Sequence, residues 1–260
     1  MYLNESDVKG RPWPEAFTYI SRFGFLDAPS HFAKVICTTL PIHPEKAKII
    51  DIGCGSGIVG LYALVKKGAT FVTFSDIQSV AMTETVANAV RLLESKVGAK
   101  LRPEQMQFLA PGPFTSLKGD LVSSHDMLVF NPPQLPTNFL KADELLKLDK
   151  SSSRATFRLG GPDGLKVVKE FLLWYSYLEG QVPPATILLS SFLGYGQIAA
   201  TIRHQGLTFE TKTETVVPLR KILVDAAESF SETERVDRGL NRAKGGGWTK
   251  RLLTLSVSRE

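Results

Sequence analysis

Short apolar runs alternate with longer amphipathic segments along the chain from residue 48 onward. Apolar runs of about four to eight residues between turn residues are typical of strands, and apolar residues spaced three and four apart are typical of helices. The predicted strands cover residues 49–52, 69–74, 105–109, 126–130, 185–191, 207–217 and 252–257. The predicted helices cover residues 58–67, 79–95, 165–175 and 195–205.

This alternation predicts an α/β fold, in which a mostly parallel sheet is covered by helices on both faces. Residues 46–260 are long enough to bury the core of one such domain. Residues 1–45 form an extension that is rich in aromatic residues and broken by prolines, with a helix predicted up to residue 40. Two roles suit this extension equally well, a lid over a substrate and a completion of the core.

Composition adds that the protein is an ordinary globular chain of 260 residues with a formal net charge of +5. It has no apolar run long enough to cross a membrane, and its first residues lack the basic and apolar stretches of a signal peptide. We therefore expect a cytoplasmic protein without a membrane partner. The two cysteines and four histidines show no metal-ligand spacing, so no metal is expected.

Positive charge gathers between residues 220 and 251, where eight Lys or Arg residues face five acids. Such a segment can attract phosphates, although this mixture of signs is more typical of a solvated loop or helix. Most of it is an insertion, residues 220–247, which ends in three glycines before the last predicted strand. We predict either a mobile flap that is hinged at these glycines and lies over the substrate pocket, or a disordered surface loop.

A glycine-rich turn joins the first predicted strand to the first helix, with the pattern D-x-G-x-G-x-G over residues 51–57. Glycine lets the backbone approach a bulky ligand closely, because a Cβ atom would collide with it. Asp76 ends the second predicted strand, where an acid can accept hydrogen bonds from both ribose hydroxyls of a nucleoside. The alternative for Asp76 is a helix cap. The two features together predict a nucleotide-cofactor site.

The most informative stretch for chemistry follows the fourth predicted strand, where Asn131, Pro132 and Pro133 precede Gln134. Two prolines remove two N–H donors, so the local carbonyl groups act as acceptors, and the Asn131 side-chain oxygen adds another. These acceptors suit a nitrogen that still carries hydrogens, since they would direct its lone pair toward the cofactor. The alternative is a strand-ending turn without chemistry.

Taken together, these motifs resemble those of class I S-adenosylmethionine-dependent methyltransferases, in particular the HemK-type and "small-domain" members that carry an Asn-Pro-Pro motif. The resemblance covers roughly residues 48–258 and includes a Gly-Gly-x-Asp-Gly-Leu segment at residues 160–165. It implies a Rossmann-like sheet of seven strands with an antiparallel final strand. It also implies S-adenosylmethionine as the cofactor, with the acid and the glycines of residues 51–57 around its amino-acid end.

The same resemblance assigns roles to individual positions. The implied cofactor-binding residues are Asp51, Gly53, Cys54, Gly55, Gly57, Asp76, Ile77, Phe114 and Asn131. The implied catalytic residues are Asn131, Pro132, Pro133 and Gln134. Phe114 enters because residues 110–114 lack the acid that the family uses near the adenine, so apolar packing is expected there instead. Arg154 and Arg158 are candidates for binding a carboxylate or phosphate near the substrate entrance.

At position 134 the family usually has an aromatic residue that stacks on a planar acceptor, whereas this chain has glutamine. The extension is also too short for the substrate-gripping helical domain of HemK-type enzymes. We therefore expect N-methylation of a small or amino-acid-like acceptor at an amide, amine or guanidine nitrogen. Two alternatives stay open, methylation of RNA or of a protein glutamine side chain, and a scaffold that binds the cofactor without catalysis.

Overall fold

The computed structural model describes residues 2–3, 31–40, 47–95, 98–141 and 159–259, with the backbone alone given for 2–3 and 31–34. Most of the extension predicted as a possible lid, residues 1–45, and the candidate anion-binding residues Arg154 and Arg158 lie outside the described residues. Within these ranges, no helix combines the length and the apolar character needed to cross a bilayer.

Nine described strands form one sheet. In chain order they are β1 (Tyr2–Leu3), β2 (Lys48–Ile52), β3 (Phe71–Ser75), β4 (Met106–Phe108), β5 (Met127–Phe130), β6 (Ala185–Ser190), β7 (Leu207–Pro218), β8 (Asn241–Arg242) and β9 (Trp248–Arg259). The spatial order is β1-β7-β9-β6-β5-β2-β3-β4, with β8 paired to β9. Strands β2 to β6 are parallel, whereas β9 is antiparallel to both β6 and β7. The predicted seven strands with an antiparallel last strand are therefore confirmed, and the two-residue strands β1 and β8 are additions.

The described helices follow the strands. They are α1 (His31–Thr39), α2 (Ile58–Tyr62), α3 (Ser79–Leu93), α4 (Gly119–Ser123), α5 (Lys166–Tyr177), α6 (Tyr195–Arg203), α7 (Val224–Ser229) and α8 (Glu232–Asp237). Helix α2 continues without a break into a π-helical turn, Ala63–Lys67, which ends at Gly68. Short 3-10 turns cover Pro103–Gln105, Phe114–Ser116, Thr137–Phe139, Ser191–Leu193 and Lys221–Leu223.

Successive strand residues point to opposite faces, so each strand contributes to two separate cores. Ile49 joins the cluster under α1, α2 and α3, whereas Ile50 joins the cluster under α5 and α6. Leu188 and Leu189 of β6 divide in the same way. Since parallel strands buried on both faces need apolar residues at every position, the near-continuous apolar runs of the sequence are explained.

Helix α1 belongs to the predicted N-terminal extension, yet it is part of the core. Val35, Ile36 and Cys37 are almost completely buried. The Thr39 hydroxyl lies 2.7 Å from that of Thr254 on β9. Residues 35–40 of the extension therefore pack into the core, and the lid stays a prediction.

The insertion, residues 220–247, is folded and is not the disordered loop that was one of its two predictions. It forms α7, α8 and β8, and its Leu223, Phe230 and Leu240 are buried in a third apolar cluster. This cluster also includes Leu135 and Trp248, so the insertion packs against the segment that follows β5. We call residues 220–247 the roof. The glycines at 245–247 lie in the turn between β8 and β9, where the Ala243 N–H donates to the Gly247 carbonyl; the flap remains a prediction.

Candidate functional site

The carboxyl ends of β2, β3, β5 and β6 surround a cavity of about 590 Å³. Ligands of open α/β sheets bind at this edge, where the loops that follow the strands diverge. Of the predicted site residues, those that line the cavity are Asp51, Gly53, Cys54, Gly55, Asp76, Ile77, Phe114, Asn131, Pro132, Pro133 and Gln134. Gly57 is not among the lining residues.

All three glycines of the turn have positive φ angles, 63° at Gly53, 57° at Gly55 and 74° at Gly57. They differ in what a side chain would meet. A Cβ on Gly57 would lie 2.6 Å from the Thr85 methyl group, whereas a Cβ on Gly55 would project into open space. Gly55 therefore leaves room at the cavity wall, and Gly57 lets the turn pack against α3.

Two buried side chains of α3 hold the glycine turn in place. The Thr85 hydroxyl donates to the Gly55 carbonyl at 2.8 Å, and the Asn88 amide donates to the Ser56 carbonyl at 2.9 Å. The sequence analysis missed both residues as part of the site, although both face inward from a predicted helix. A polar residue at a buried helical position was the signal, because buried polar groups need partners.

Asp76 lies at the end of β3 with both carboxylate oxygens already oriented by the backbone. One oxygen accepts from the Gly55 N–H at 3.0 Å and the other from the Gln78 N–H at 2.9 Å. Burial raises the pKa of Asp76 above its usual value, against the effect of these two hydrogen bonds. Each oxygen keeps a further lone pair, so the carboxylate suits a pair of vicinal hydroxyls such as those of ribose.

Asp51 and Cys54 have their polar atoms directed into the protein. The Asp51 carboxylate accepts from the Gly60 N–H at 2.9 Å, and burial raises its pKa to about 7. The Cys54 thiol lies 3.4 Å from the Thr85 hydroxyl, and burial raises its pKa well above the usual value. The Cys54 side chain therefore packs beneath the turn, and a contact with the cofactor would involve its backbone.

An apolar wall continues the cavity beyond Asp76. Ile77 is 65% exposed there although it is a large aliphatic residue. Phe114 packs edge-on against Phe130 and Phe171, with ring centroids 6.1 and 5.9 Å apart. The Gly112 N–H donates to the Asp76 carbonyl and so fixes the loop that carries Phe114. An aromatic ring and an aliphatic side chain suit the flat apolar faces of an adenine ring.

Asn131 follows β5 and lines the middle of the cavity wall, where it is half-buried. Its side-chain amide makes no hydrogen bond to any residue that the structure describes. Polar side chains in protein interiors are normally paired, so this amide is available for a ligand. Pro132 and Pro133 follow in the cavity wall without N–H donors, which leaves the local surface rich in acceptors.

The Gln134 amide is bonded to the protein backbone and is not presented to the methyl acceptor, which corrects the sequence-based interpretation of that residue. Its nitrogen donates to the Leu188 carbonyl at 2.9 Å and to the Pro132 carbonyl at 3.3 Å. Its oxygen accepts from the Ser190 N–H at 2.6 Å. The side chain is buried and connects the Asn-Pro-Pro loop to β6, so we assign it a positioning role.

The far end of the cavity carries residues that the sequence analysis did not connect with the site. Ser190, Arg220, Leu223 and Lys250 line it. Lys250 is 3% exposed and donates to the Ser190 hydroxyl at 2.9 Å. Burial, and then the charge of Arg220, lower the pKa of Lys250 to about 7. No local sequence pattern identifies these residues as part of the site. They lie at the cavity because β9 is placed next to β6 in the sheet, and the sequence analysis did not predict that strand order.

Comparison with known proteins supports this interpretation of the site. The model of the family described as "Methyltransferase small domain" matches residues 27–138. A relative from Methanocaldococcus jannaschii, named "Putative protein N5-glutamine methyltransferase MJ0928", is 28% identical over 177 residues, which cover 68% of this chain and 78% of the relative. The family match includes the glycine turn and Asp76.

A second group of relatives is named for RNA. The Ribosomal RNA large subunit methyltransferase G of Aeromonas hydrophila is 36% identical over 101 residues, which cover 39% of this chain and 24% of that protein. The chain therefore spans about a quarter of the length of that relative. Among solved structures, the YcgJ protein from Bacillus subtilis shares the fold, with a TM-score of 0.50, 12% identity, and coverage of 88% of this chain and 99% of that one.

The sheet order, the glycine turn with Asp76 and these matches indicate an S-adenosylmethionine-dependent methyltransferase with the class I fold, similar to the small-domain family. Its cofactor is S-adenosylmethionine, and the open space before Gly55 and the oriented Asp76 carboxylate fit that molecule. The named relatives act on protein glutamine or ribosomal RNA. They give no support to the small-molecule acceptor that the sequence favoured.

Proposed function

We propose that this methyltransferase transfers the methyl group to the side-chain amide nitrogen of a protein glutamine. The observation that carries the proposal is the Asn131 amide, which has no hydrogen-bond partner among the described residues and lies in a cavity wall rich in acceptors. An amide nitrogen of glutamine has two hydrogens and is planar, so two acceptors in one plane can hold it. The similarity to the M. jannaschii relative, which extends over most of both chains, supports the same acceptor.

In this proposal, different residues along the cavity bind the cofactor, bind the acceptor amide and hold the Asn-Pro-Pro loop in position. Gly55 and Asp76, which line the cavity, would hold the cofactor, and the cofactor would supply a methyl group on a positively charged sulfur. The Asn131 oxygen and the Pro132 or Pro133 carbonyl accept the two N–H groups of the acceptor and direct its lone pair toward the methyl carbon. Gln134 keeps this loop in position through its bonds to β6. Orientation is the main contribution of such a site. Methyl transfer would leave a neutral thioether and an N-methylated amide that releases one proton to solvent water.

RNA is the second candidate acceptor, on the strength of the relatives named for ribosomal RNA. The basic composition of residues 220–251 suggested RNA binding. The structure gives RNA less support, because several arginines of this segment are bonded to other residues of the protein. Arg242 pairs with Glu228 at 3.1 Å, Arg251 pairs with Glu214 at 2.7 Å, and Arg238 donates to the Phe192 carbonyl. Such cations contribute less to a phosphate-binding surface than free ones do.

The proposal is tested by incubating the purified protein and methyl-labelled S-adenosylmethionine with a cell extract, then separating protein, RNA and small molecules. We expect label in protein, at a glutamine located by mass spectrometry of the digested band. Asn131→Ala should lower the rate by about 10²- to 10³-fold, as the loss of a single orienting hydrogen-bond partner does in other enzymes. Cofactor affinity should stay close to that of the wild type.

Asn138→Ala is the matched control, because Asn138 is exposed on the same loop and does not line the cavity. Its activity should equal that of the wild type. Ribonuclease-sensitive label would transfer the assignment to RNA, and label among small molecules would restore the acceptor that the sequence favoured. Full activity of Asn131→Ala would contradict the role given to Asn131.

A further inference from the structure

A second cavity, of about 480 Å³, adjoins the cofactor cavity beyond the carboxyl ends of β3 and β4. Ser75 and Gly112 line both cavities, so the two cavities share a wall at this point. The Gly112 N–H donates to the Asp76 carbonyl at 3.0 Å, which ties the loop after β4 to the end of β3. The shared wall therefore lies beside the carboxylate that suits the cofactor ribose.

The Ser75 hydroxyl is the unusual group in this shared wall. Ser75 is 4% exposed, yet its hydroxyl makes no hydrogen bond to any residue that the structure describes. Thr73 lies two residues earlier on the same face of β3, and its hydroxyl is within 3.0 Å of both Gln107 and His125. Buried polar side chains are normally paired in this way. The Ser75 hydroxyl is therefore available to a ligand that enters the cavity.

The surroundings of Ser75 match one part of the cofactor, its adenine base. Asp76 follows Ser75 directly and suits the ribose to which the base is attached. Ile77 and Phe114 line the same cavity and suit the flat faces of the base. The amino group on the edge of adenine needs a hydrogen-bond acceptor as well. The loop of residues 110–114 contains no carboxylate to serve as that acceptor.

We infer that the Ser75 hydroxyl accepts a hydrogen bond from the adenine amino group of S-adenosylmethionine, so that Ser75 is a specificity residue for the base. A serine hydroxyl oxygen has two lone pairs and can accept from an amino group. Leaving a buried hydroxyl without a partner is unfavourable, so a ligand that supplies the partner gains affinity. The inference concerns the cofactor alone and is independent of the methyl acceptor.

Glu170 on α5 is the competing acceptor, because it lines the same cavity. Its carboxylate makes no hydrogen bond or ion pair to the part of the chain that the structure describes. Glu170 is exposed, however, and water satisfies an exposed carboxylate. The free energy gained from a ligand amino group is therefore expected to be larger at Ser75.

Calorimetry with two ligands tests the inference without requiring turnover. The probes are S-adenosylhomocysteine and its analogue in which hydrogen replaces the amino group of the base. We expect the wild type to bind S-adenosylhomocysteine about 3- to 10-fold more tightly than the analogue, as the net contribution of one hydrogen bond predicts. Ser75→Ala should weaken S-adenosylhomocysteine binding by the same factor and bring the ratio of the two affinities close to one.

Ser79→Ala is the matched control, because Ser79 is exposed four residues later and lines neither cavity. It should keep the wild-type ratio. Urea unfolding of the ligand-free proteins separates binding from folding. Ser75→Ala should be at least as stable as the wild type, since its hydroxyl has no partner among the described residues to lose.

A ratio that Ser75→Ala leaves unchanged would overturn the inference, even if both affinities fall. A ratio that Glu170→Ala brings to one, while Ser75→Ala does not, would assign the amino group to Glu170 instead. The titrations contain no methyl acceptor, so a negative result here is distinct from a failure to label protein in the cell extract.

Discussion

Gly55 and Gly57 show how two residues of one motif can have different roles. Both have φ angles in the left-handed region, so any side chain at either position costs about 1–2 kcal/mol in backbone energy. Only Gly57 faces the protein, where Thr85 lies 2.6 Å from the site of a Cβ atom. Gly55 faces the open cavity. The motif thus combines a packing requirement with a binding requirement.

We therefore predict that substitution by alanine has its main effect on cofactor binding at Gly55 and on stability at Gly57. Gly55→Ala should weaken S-adenosylmethionine binding by more than about tenfold, because a methyl group projects toward the ligand, and should lower stability by about 1–2 kcal/mol. Gly57→Ala should cost more stability, by about 2–4 kcal/mol in all, since overpacking against Thr85 is added to the backbone cost. Calorimetry and urea unfolding on both variants separate the two effects. Equal losses of stability would contradict the assignment.

At the scale of single elements, the loop after β5 depends on β6 for its position. Gln134 supplies two hydrogen bonds between them, to the backbone of Leu188 and Ser190, and a third within the loop to the Pro132 carbonyl. The resemblance to the Asn-Pro-Pro family implies an aromatic residue at this position, which would stack on the methyl acceptor. In this chain the residue at position 134 is glutamine, and its buried amide stabilises the contact between the loop and β6.

Gln134→Leu should lower the free energy of unfolding by roughly 2–5 kcal/mol, because it leaves the Ser190 N–H and the Leu188 carbonyl buried without this partner. Activity should fall together with stability, since the loop that carries Asn131 loses its support. Cofactor affinity should change little, because the glycine turn and Asp76 are untouched. Urea unfolding, turnover and calorimetry measure the three quantities. A stable variant with normal turnover would show that the loop holds its own shape.

Elements with a strong local signal were predictable, and elements that depend on distant partners were not. The glycine turn and Asp76 were found because backbone conformation and strand ends impose a residue type at fixed spacing. The direction of the Gln134 amide depends on β6, more than fifty residues later in the sequence. The fold of the roof depends on apolar contacts with Leu135 and Phe192, which no pattern within residues 220–247 encodes.

At the scale of the whole molecule, a buried carboxyl group makes stability depend on pH. Burial raises the pKa of Asp51 from 3.8 to about 7 in the folded state. Between pH 4 and pH 7 the folded protein keeps the Asp51 proton, whereas the unfolded chain has released it. The contribution of the protonated Asp51 to the free energy of unfolding is therefore complete below about pH 4 and is lost as the pH rises through about 7. The loss amounts to at most about 4 kcal/mol, at about 1.4 kcal/mol per pKa unit.

Asp51→Asn removes this titration while keeping an oxygen that can accept from the Gly60 N–H. Relative to the variant, the wild type should lose stability from pH 4 to pH 8, and the variant should be the more stable protein at pH 8. Urea unfolding of both proteins at four pH values in this range measures the difference, and other titrating groups cancel between them. Parallel pH profiles would show that Asp51 does not titrate in this range.

The position of β9 has a consequence for the order in which the protein is assembled during synthesis. This strand lies between β6 and β7 in the sheet, although it follows both in the chain. Strand β7 therefore has no place in the sheet until the ribosome has released the segment that separates it from β6. The cofactor half, built from residues 48–131, can form well before that moment. The part of the cavity wall that carries Lys250 is thus synthesised after every strand of the cofactor half.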